Sequence, residues 1–509
     1  MAAKFVRETL PKLAASQVAV SRGLLAAGLL FGLWLIGKCF YNCFLHPLRK
    51  VPGPFLAKFT SKWLEYKDHS GVRTATLHEM HKKYGPVVRI APNEVLFSNP
   101  AVIKKIYGFN SSYMKTAFYS GFEESGRPVL FTLRDKTIHR DRRKLMAHAF
   151  THSTISAAEP LVAEQVRNLI GRVARQNGAA MNVYAWFRSL TLDIVSSLFI
   201  GKAIGALDQD KPHEYMNNID AYFQLAGLKW QLPWLLPLTW WIPLPSWQHF
   251  QGAQHRVYDY GRAAFNEYIE RYGRDSGRND PLKKIIHGDK DLPPLSDEQI
   301  CCEVGSVLVA GTDTTATVLT YTTWELAVNS DIQSQLREEL KTAKVNPGPS
   351  GVPRYSEIES LPLLDGIVLE GLRLHGPAVA SLPRQVPAGG DMIDAYFIPG
   401  ETTVSMQAYT VHRNENIFPD ADTFKPERWA DGGTQQMREA SLQWSKGTRM
   451  CPGLHLATME LKIVLASLVL GWTINLGERM EEDTMDMVDH FVLMPKGNFC
   501  DLVFEPLKS

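Results

Sequence analysis

The chain has 509 residues, 45% hydrophobic and 21% charged, with a formal net charge of +2. This composition is that of an ordinary globular chain with apolar material for a large core, so disorder is not the default reading, while the balanced charge gives no electrostatic case for nucleic acid. No polar linker divides the chain, so one large domain is expected, and the cysteines at 39, 43, 301, 302, 451 and 500 offer no disulfide framework or paired C-x-x-C knuckles.

The run Gly23–Gly37 carries no charge, but its fifteen residues fall short of the ~20 that cross a bilayer core. Continuing through Lys38 to Leu45 gives sufficient length if the Lys38 ammonium reaches the headgroups along its aliphatic stem. A single N-terminal transmembrane helix is therefore expected. No small-residue cleavage pattern follows, and the next landmarks are Arg49, Lys50 and the rigid Pro52-Gly53-Pro54, which favours an uncleaved anchor over a signal peptide. Lys4, Arg7, Lys12 and Arg22 precede the run and Lys38, Arg49 and Lys50 follow, so flanking charge does not orient the helix. Residues 1–50 read as the anchor with its basic flank, and 51–509 as the folded body.

Val87–Phe97, VVRIAPNEVLF, predicts a hairpin broken at Pro92-Asn93. Between Lys229 and Trp247 tryptophans and prolines interleave with leucines, too broken for one helix and too apolar for a free loop. Contact with the membrane interface or a lid over an apolar channel is weighed there against burial in the core. Most of the remainder has helical period, with capping-box starts at Ser296/Gln299, Ser330/Gln333 and Ser356/Glu359. The first opens an uninterrupted stretch from Asp297 to about Val328, which at ~1.5 Å per residue would run nearly ~50 Å. The expected fold class is mainly α with small β-sheets, an α+β chain.

Near the C-terminus, Trp444-Ser-Lys-Gly447-Thr-Arg449-Met-Cys451-Pro-Gly453 precedes the helical run LHLATMELKIVLASLVLGW. A lone cysteine at a loop-to-helix junction suits an activated thiolate, because helix N-terminal amides stabilise negative sulfur and glycines let the backbone fold round it. The pattern W-x-x-G-x-R-x-C-x-G resembles the haem-binding loop of the cytochrome P-450 superfamily, with Trp444 standing where the family usually has Phe. The resemblance implies the cytochrome P-450 fold, a haem-thiolate monooxygenase domain over 51–509, haem b as cofactor and Cys451 as the axial iron ligand.

Upstream, Ala310-Gly311-Thr312-Asp313-Thr314-Thr315 resembles the family's oxygen-activation motif. Thr314 lies four residues after Ala310, so its hydroxyl can compete for that carbonyl and open the helix beside Gly311, while Asp313 can relay protons. Asp313 and Thr314 are the catalytic candidates. Glu370-Gly-Leu-Arg373 and Phe424-Lys-Pro-Glu-Arg428-Trp429 resemble two parts of one buried network, which makes Glu370, Arg373 and Arg428 structural braces of the haem loop. By the same resemblance His139 and Arg143, in His-x-x-x-Arg, with Arg384 and Arg449 are candidates to hold the haem propionates. Trp444, Gly447 and Gly453 shape the cofactor-binding loop.

The family's thiolate favours O–O cleavage, so the resemblance implies insertion of one oxygen atom from O2 into a lipophilic small molecule. No G-x-G-x-x-G follows a strand, so electrons must arrive from another protein, and the resemblance implies a membrane-bound NADPH-cytochrome reductase as that partner. Arg140, Arg142, Lys144 and Lys446 are its expected docking face. The domain would face the cytosol from the endoplasmic reticulum membrane, leaving Asn110-Ser111-Ser112 unglycosylated. The HPLRKVPGP lead-in resembles filamentous-fungal enzymes that tailor secondary metabolites, and the small apolar stretch Ala378–Leu382 suits a lipophilic substrate. The alternatives are a haem-thiolate isomerase or dehydratase that needs no reductase, against which Asp313-Thr314 argues, and a non-catalytic haem-binding membrane protein.

Overall fold

The computed structural model describes residues 22–234, 236–239, 241–277 and 281–507. Helix α1, Arg22–Leu45, keeps its apolar window unburied, as lipid-facing side chains require, and the Lys38 ammonium lies 5.0 Å over the Trp34 ring. Two further helices are apolar and long enough to cross a membrane but are packed inside the domain, which leaves α1 as the candidate anchor among the described residues. Lys4, Arg7 and Lys12, expected to flank it, lie outside those residues. Helix α1 ends in the π-turn Tyr41–Leu45, where the carbonyl of the buried Asn42 accepts from Arg89 Nη1 at 3.1 Å.

The helices that position the site are α2 (Lys136–Ala147), α3 (Val183–Ile200), α4 (Tyr215–Gln231), α5 (Ala253–Tyr272), α6 (Asp297–Val328), α7 (Pro362–His375) and α8 (Leu454–Gly471). Helix α6 crosses the core as one 32-residue rod, started by the capping box in which Ser296 Oγ accepts from Gln299 N–H. The other two expected boxes do not form, because the helices begin one and two residues earlier than the pattern suggests. Ser330 is already inside its helix, and Gln333 turns inward to bond Leu326 O (2.9 Å) and both polar groups of Ile474. Ser356 likewise lies within Tyr355–Ile358, which is closed by Glu357 accepting from Arg354 N–H at 3.4 Å.

The hairpin forms as expected, Val87–Ala91 pairing antiparallel with Glu94–Phe97 and bulging between Arg89 and Ala91. It edges a five-stranded sheet that continues through Thr403–Ser405 and Arg384–Gln385 to Met114–Lys115. The last pairing sets Lys115 directly opposite Arg384. A two-stranded hairpin, Met487–His490 with Val492–Pro495, turns on the single residue Phe491. The fold is thus mainly helical with small sheets.

In the Trp- and Pro-rich stretch, α4 ends at Gln231 and only the short helices Leu236–Thr239 and Pro245–Gln251 follow. Trp234, Leu238, Trp241 and Leu244 are exposed, which favours the membrane-interface reading over core burial. Trp240 lies outside the described residues.

Candidate active site

Cys451 sits where the loop turns into α8. Its N–H donates to Trp444 O (2.9 Å) and Met450 N–H to Gly447 O (3.1 Å), which winds the loop tightly round the sulfur. Gly447 has φ +65°, and a Cβ there would run into the backbone of Tyr107 and Gly108, so this position requires glycine. Gly453 is the N-cap of α8 and offers its N–H to the sulfur, while Trp444 packs against the main core. Burial pushes the Cys451 thiol up, opposed by the Gly453 N–H and the Arg143 charge. A thiolate here therefore needs a cation bound to it, and a ligated metal ion deprotonates a thiol outright.

Around the loop the fold gathers basic side chains. Arg143 donates to Met450 O (2.7 Å), and Arg449 to Leu133 O (2.6 Å) and Arg134 O (3.0 Å). Arg384 reaches Tyr119 OH (2.9 Å) and Pro383 O (3.0 Å), and Lys115 reaches Phe131 O. All four cations have neutral oxygens as partners, and none has a carboxylate within ion-pair distance among the described residues. Burial, then Arg384, pushes Arg449 down to about 10, and Lys115 falls well below its usual value from burial, Arg384 and Arg449. His139, buried on the inner face of α2, is pushed down to about 3 by burial and then by Arg449, Lys115, Arg143 and Arg384, which makes it a neutral ring. Like charges set opposite each other across strands, as Lys115 and Arg384 are, destabilise a sheet unless an anion lies between them. A buried dicarboxylate beside a thiolate matches this donor set, so the residues present fit haem.

Lys115 has no motif in the sequence and was not among the expected site residues. Its register opposite Arg384 is what identifies it. Arg142 corrects the expected docking face. Three residues from His139 on α2, it falls on the same inner face and pairs with Glu303 of α6, both side chains buried. Arg140 and Lys144 are exposed, whereas Lys446 is half-buried and donates to Arg438 O at 2.9 Å.

Midway along α6 the buried surface is interrupted. Ala310 is exposed and Thr314 half-buried although the helix runs through the core, and Thr314 Oγ1 donates to Ala310 O at 2.7 Å. Asp313 faces elsewhere. Arg188 of α3 grips its carboxylate through Nε (2.8 Å) and Nη2 (3.2 Å), and the same guanidinium reaches Asp220 of α4 at 2.6 Å. Burial raises Asp313 to about 6, with Arg188 opposing and Asp220 reinforcing the rise. Asp313 and Thr314 are adjacent in sequence, but their side chains are not hydrogen-bonded to each other.

Glu370, Arg373 and Arg428 meet at one carboxylate. The Glu370 carboxylate accepts from Arg373 Nε (2.8 Å) and Nη2 (2.7 Å), Arg428 Nε (2.9 Å), Trp429 Nε1 (2.8 Å) and Lys425 N–H (2.9 Å). Arg373 Nη1 also donates to His412 O (2.8 Å), whose Nε2 accepts from Leu442 N–H (2.8 Å). Gln443 Nε2 returns to Leu369 O (2.8 Å), so the network ends one residue before Trp444.

A cleft of about 500 Å3 opens beside the cation cluster, walled in part by Phe118, Phe122, Phe223 and Phe491. Gln231 Nε2 donates to Asp68 Oδ2 at 2.6 Å and ties α4 to the helix Lys62–His69 across this cleft.

The sequence model described as Cytochrome P450 matches residues 51–501. The chain is 30% identical to the cytochrome P450 monooxygenase orf2 of Aspergillus niger over 428 residues, 83% of this chain and 86% of that protein. It is 29% identical to the cytochrome P450 monooxygenase tazI of Aspergillus terreus over 468 residues, 90% and 94% of the two chains. With the cytochrome P450 monooxygenase stcB of Emericella nidulans it shares 28% identity over 469 residues, 89% and 88% of each. Thiolate loop, helical architecture and match together establish that the chain belongs to the cytochrome P450 family, as an oxygen-incorporating, haem-dependent oxidoreductase.

Proposed function

We propose that this protein is a membrane-anchored monooxygenase that inserts one oxygen atom from O2 into a lipophilic small molecule, with electrons passed from NADPH by a membrane-bound reductase. Residues 1–50 form the anchor and its flank and 51–509 the catalytic domain, facing the cytosol at the endoplasmic reticulum. Its relatives are monooxygenases of filamentous fungi, which supports a tailoring step in secondary metabolism. The observation that carries the reading is the set of cations arranged round a cysteine at a helix N-terminus, Lys115 and Arg384 buried and Arg143 and Arg449 half-buried.

Haem, when bound through Cys451, supplies the oxidant for unactivated C–H bonds. The chain's own residues hold it and manage protons. Arg143, Arg384, Arg449 and Lys115 would bind its propionates by charge-assisted hydrogen bonds, with His139 as a neutral donor. Gly447 and Gly453 let the backbone approach the sulfur, and Trp444 fixes the loop against the core. The Thr314 hydroxyl, already turned to Ala310 O, holds a proton at the oxygen-binding face of α6. Asp313 replenishes it after release from Arg188, whose other partner Asp220 is the more exposed carboxylate. Glu370, Arg373 and Arg428 hold the backbone that presents the loop.

The test is the reduced, carbonyl-bound spectrum of the purified holoprotein, followed by incorporation of labelled O2 with NADPH and reductase. The red-shifted thiolate Soret band and reductase-dependent incorporation are expected. Turnover of a preoxidised substrate without reductase would refute the monooxygenase assignment.

A further inference from the structure

The cleft beside the cation cluster is walled by rings that contact one another. Phe491 lies with its centroid 4.8 Å from Phe122, 5.8 Å from Phe223 and 6.2 Å from Phe118, and its ring is within 21° of parallel to that of Phe223. Phe491 is held there at φ +78°, a conformation a bulky residue adopts only when its surroundings impose it. What imposes it is the one-residue turn, closed by Phe491 N–H donating to Asp489 Oδ1 at 2.9 Å.

Two hydroxyls break this apolar wall. Thr116 is 6% and Ser381 7% exposed, both line the cleft, and the side-chain oxygen of each has no hydrogen-bond partner among the described residues. A buried hydroxyl left unpaired is costly, so such groups point to a ligand that completes them. Both lie at the cofactor end, Thr116 next to Lys115 and Ser381 three residues before Arg384. The carboxylates and the arginine of the lining are already engaged: Arg73 lies 3.6 Å from Glu94, Glu65 accepts from Ser61 and Lys62, Asp68 accepts from Gln231, and Asp489 accepts from Thr74.

From these observations we propose that the substrate is a neutral, planar aromatic molecule whose hydroxyl or carbonyl oxygens bond to Ser381 and Thr116 while its rings stack in the phenylalanine wall. The assignment rests on the monooxygenase reading and names the substrate class of that same site.

The test is the haem absorbance change on titrating the holoenzyme with a hydroxyanthraquinone, with anthracene, and with a saturated tricyclic alcohol. The wild type should bind the hydroxyanthraquinone about tenfold tighter than either of the others. Ser381→Ala and Thr116→Val should each erase about threefold of that roughly tenfold advantage over anthracene, within the range of one hydrogen bond, and leave anthracene binding unchanged. A saturated alcohol that binds as tightly as the hydroxyanthraquinone overturns the aromatic assignment. An advantage over anthracene that survives both substitutions overturns the roles of the two hydroxyls. The thiolate Soret band of each preparation is read alongside. Its presence without any response to the hydroxyanthraquinone overturns the substrate class and leaves the family reading standing, whereas its loss in the wild type would strike the reading beneath.

Discussion

Replacing Glu370 by Gln keeps the shape of the side chain and removes only its charge. Both Glu370 and Arg373 are fully buried, and Arg428 shares the same carboxylate, so the substitution strands guanidinium groups inside the protein. Breaking a buried pair in this way costs about 3–5 kcal/mol, against a total stability of about 5–15 kcal/mol. The amide still accepts one or two of the five bonds, which places the expected loss at the lower end, about 3 kcal/mol. Burial alone would raise the Glu370 carboxyl, yet Arg373, the Lys425 N–H and Arg428 hold it below the ordinary range. Its contribution is therefore present above the ordinary carboxylate pKa and fades as pH falls through the depressed folded value. Because the network reaches Leu442 and Gln443, the haem loop should loosen with it. Urea titration followed by tryptophan fluorescence and by the Soret band should show both midpoints falling together in Glu370→Gln, with haem released early. An unchanged midpoint and unchanged haem retention, combined with a large fall in kcat, would refute the brace and give Glu370 a part in the chemistry.

Cys451→Ala should abolish the thiolate Soret band and all turnover, and a fully active variant would remove the ligand assignment. Thr314→Ala should retain that band while NADPH consumption diverts to hydrogen peroxide, measured as the ratio of peroxide to product. Lys115→Met should speed haem transfer to an acceptor globin by roughly tenfold or more, since a hydrogen bond to a charged group is worth about 1.5–3 kcal/mol, whereas Lys144→Met on the exposed side of α2 should not. Asp313 is raised from 3.8 to about 6, so the native state keeps a proton that the unfolded chain has released and stability falls as pH rises across that window. Asp313→Asn lacks this group and should flatten the urea midpoint between those pH values.

Short-range pattern carried much of what was legible in the sequence. Glu370 and Arg373 are three apart on one helix, Gly447 to Gly453 form one continuous loop, and Ser296 with Gln299 closes its own helix start, so each can be read without knowing the rest of the fold. Lys115 and Arg384 are 269 residues apart in number and become neighbours only through strand register, which no local spacing encodes. Arg142 shows the same limit from the other side. A charge in a basic run reads as surface, but the helical period of α2 turns this one toward Glu303, which lies on a different helix.

Asp313 is where adjacency in sequence and adjacency in space diverge most usefully. Consecutive helical residues point about 100° apart, so an acid and an alcohol that stand side by side in the chain serve different surfaces of α6. Thr314 serves the exposed patch at Ala310, and Asp313 serves the contact with α3 and α4, where Arg188 holds it. Asp220, on the far side of the same guanidinium, is the more exposed carboxylate, so the proposed route from the protein surface to Asp313 runs through the Arg188 contact. In the proposed mechanism, proton supply is thereby tied to how α3 and α4 sit against α6. Helix α4 also lines the proposed substrate cleft and is fastened across it by Gln231, so one helix meets both the cleft and, through Asp220, the Arg188 guanidinium. That one helix supplies both contacts is a property of packing, which no motif in the sequence could have displayed.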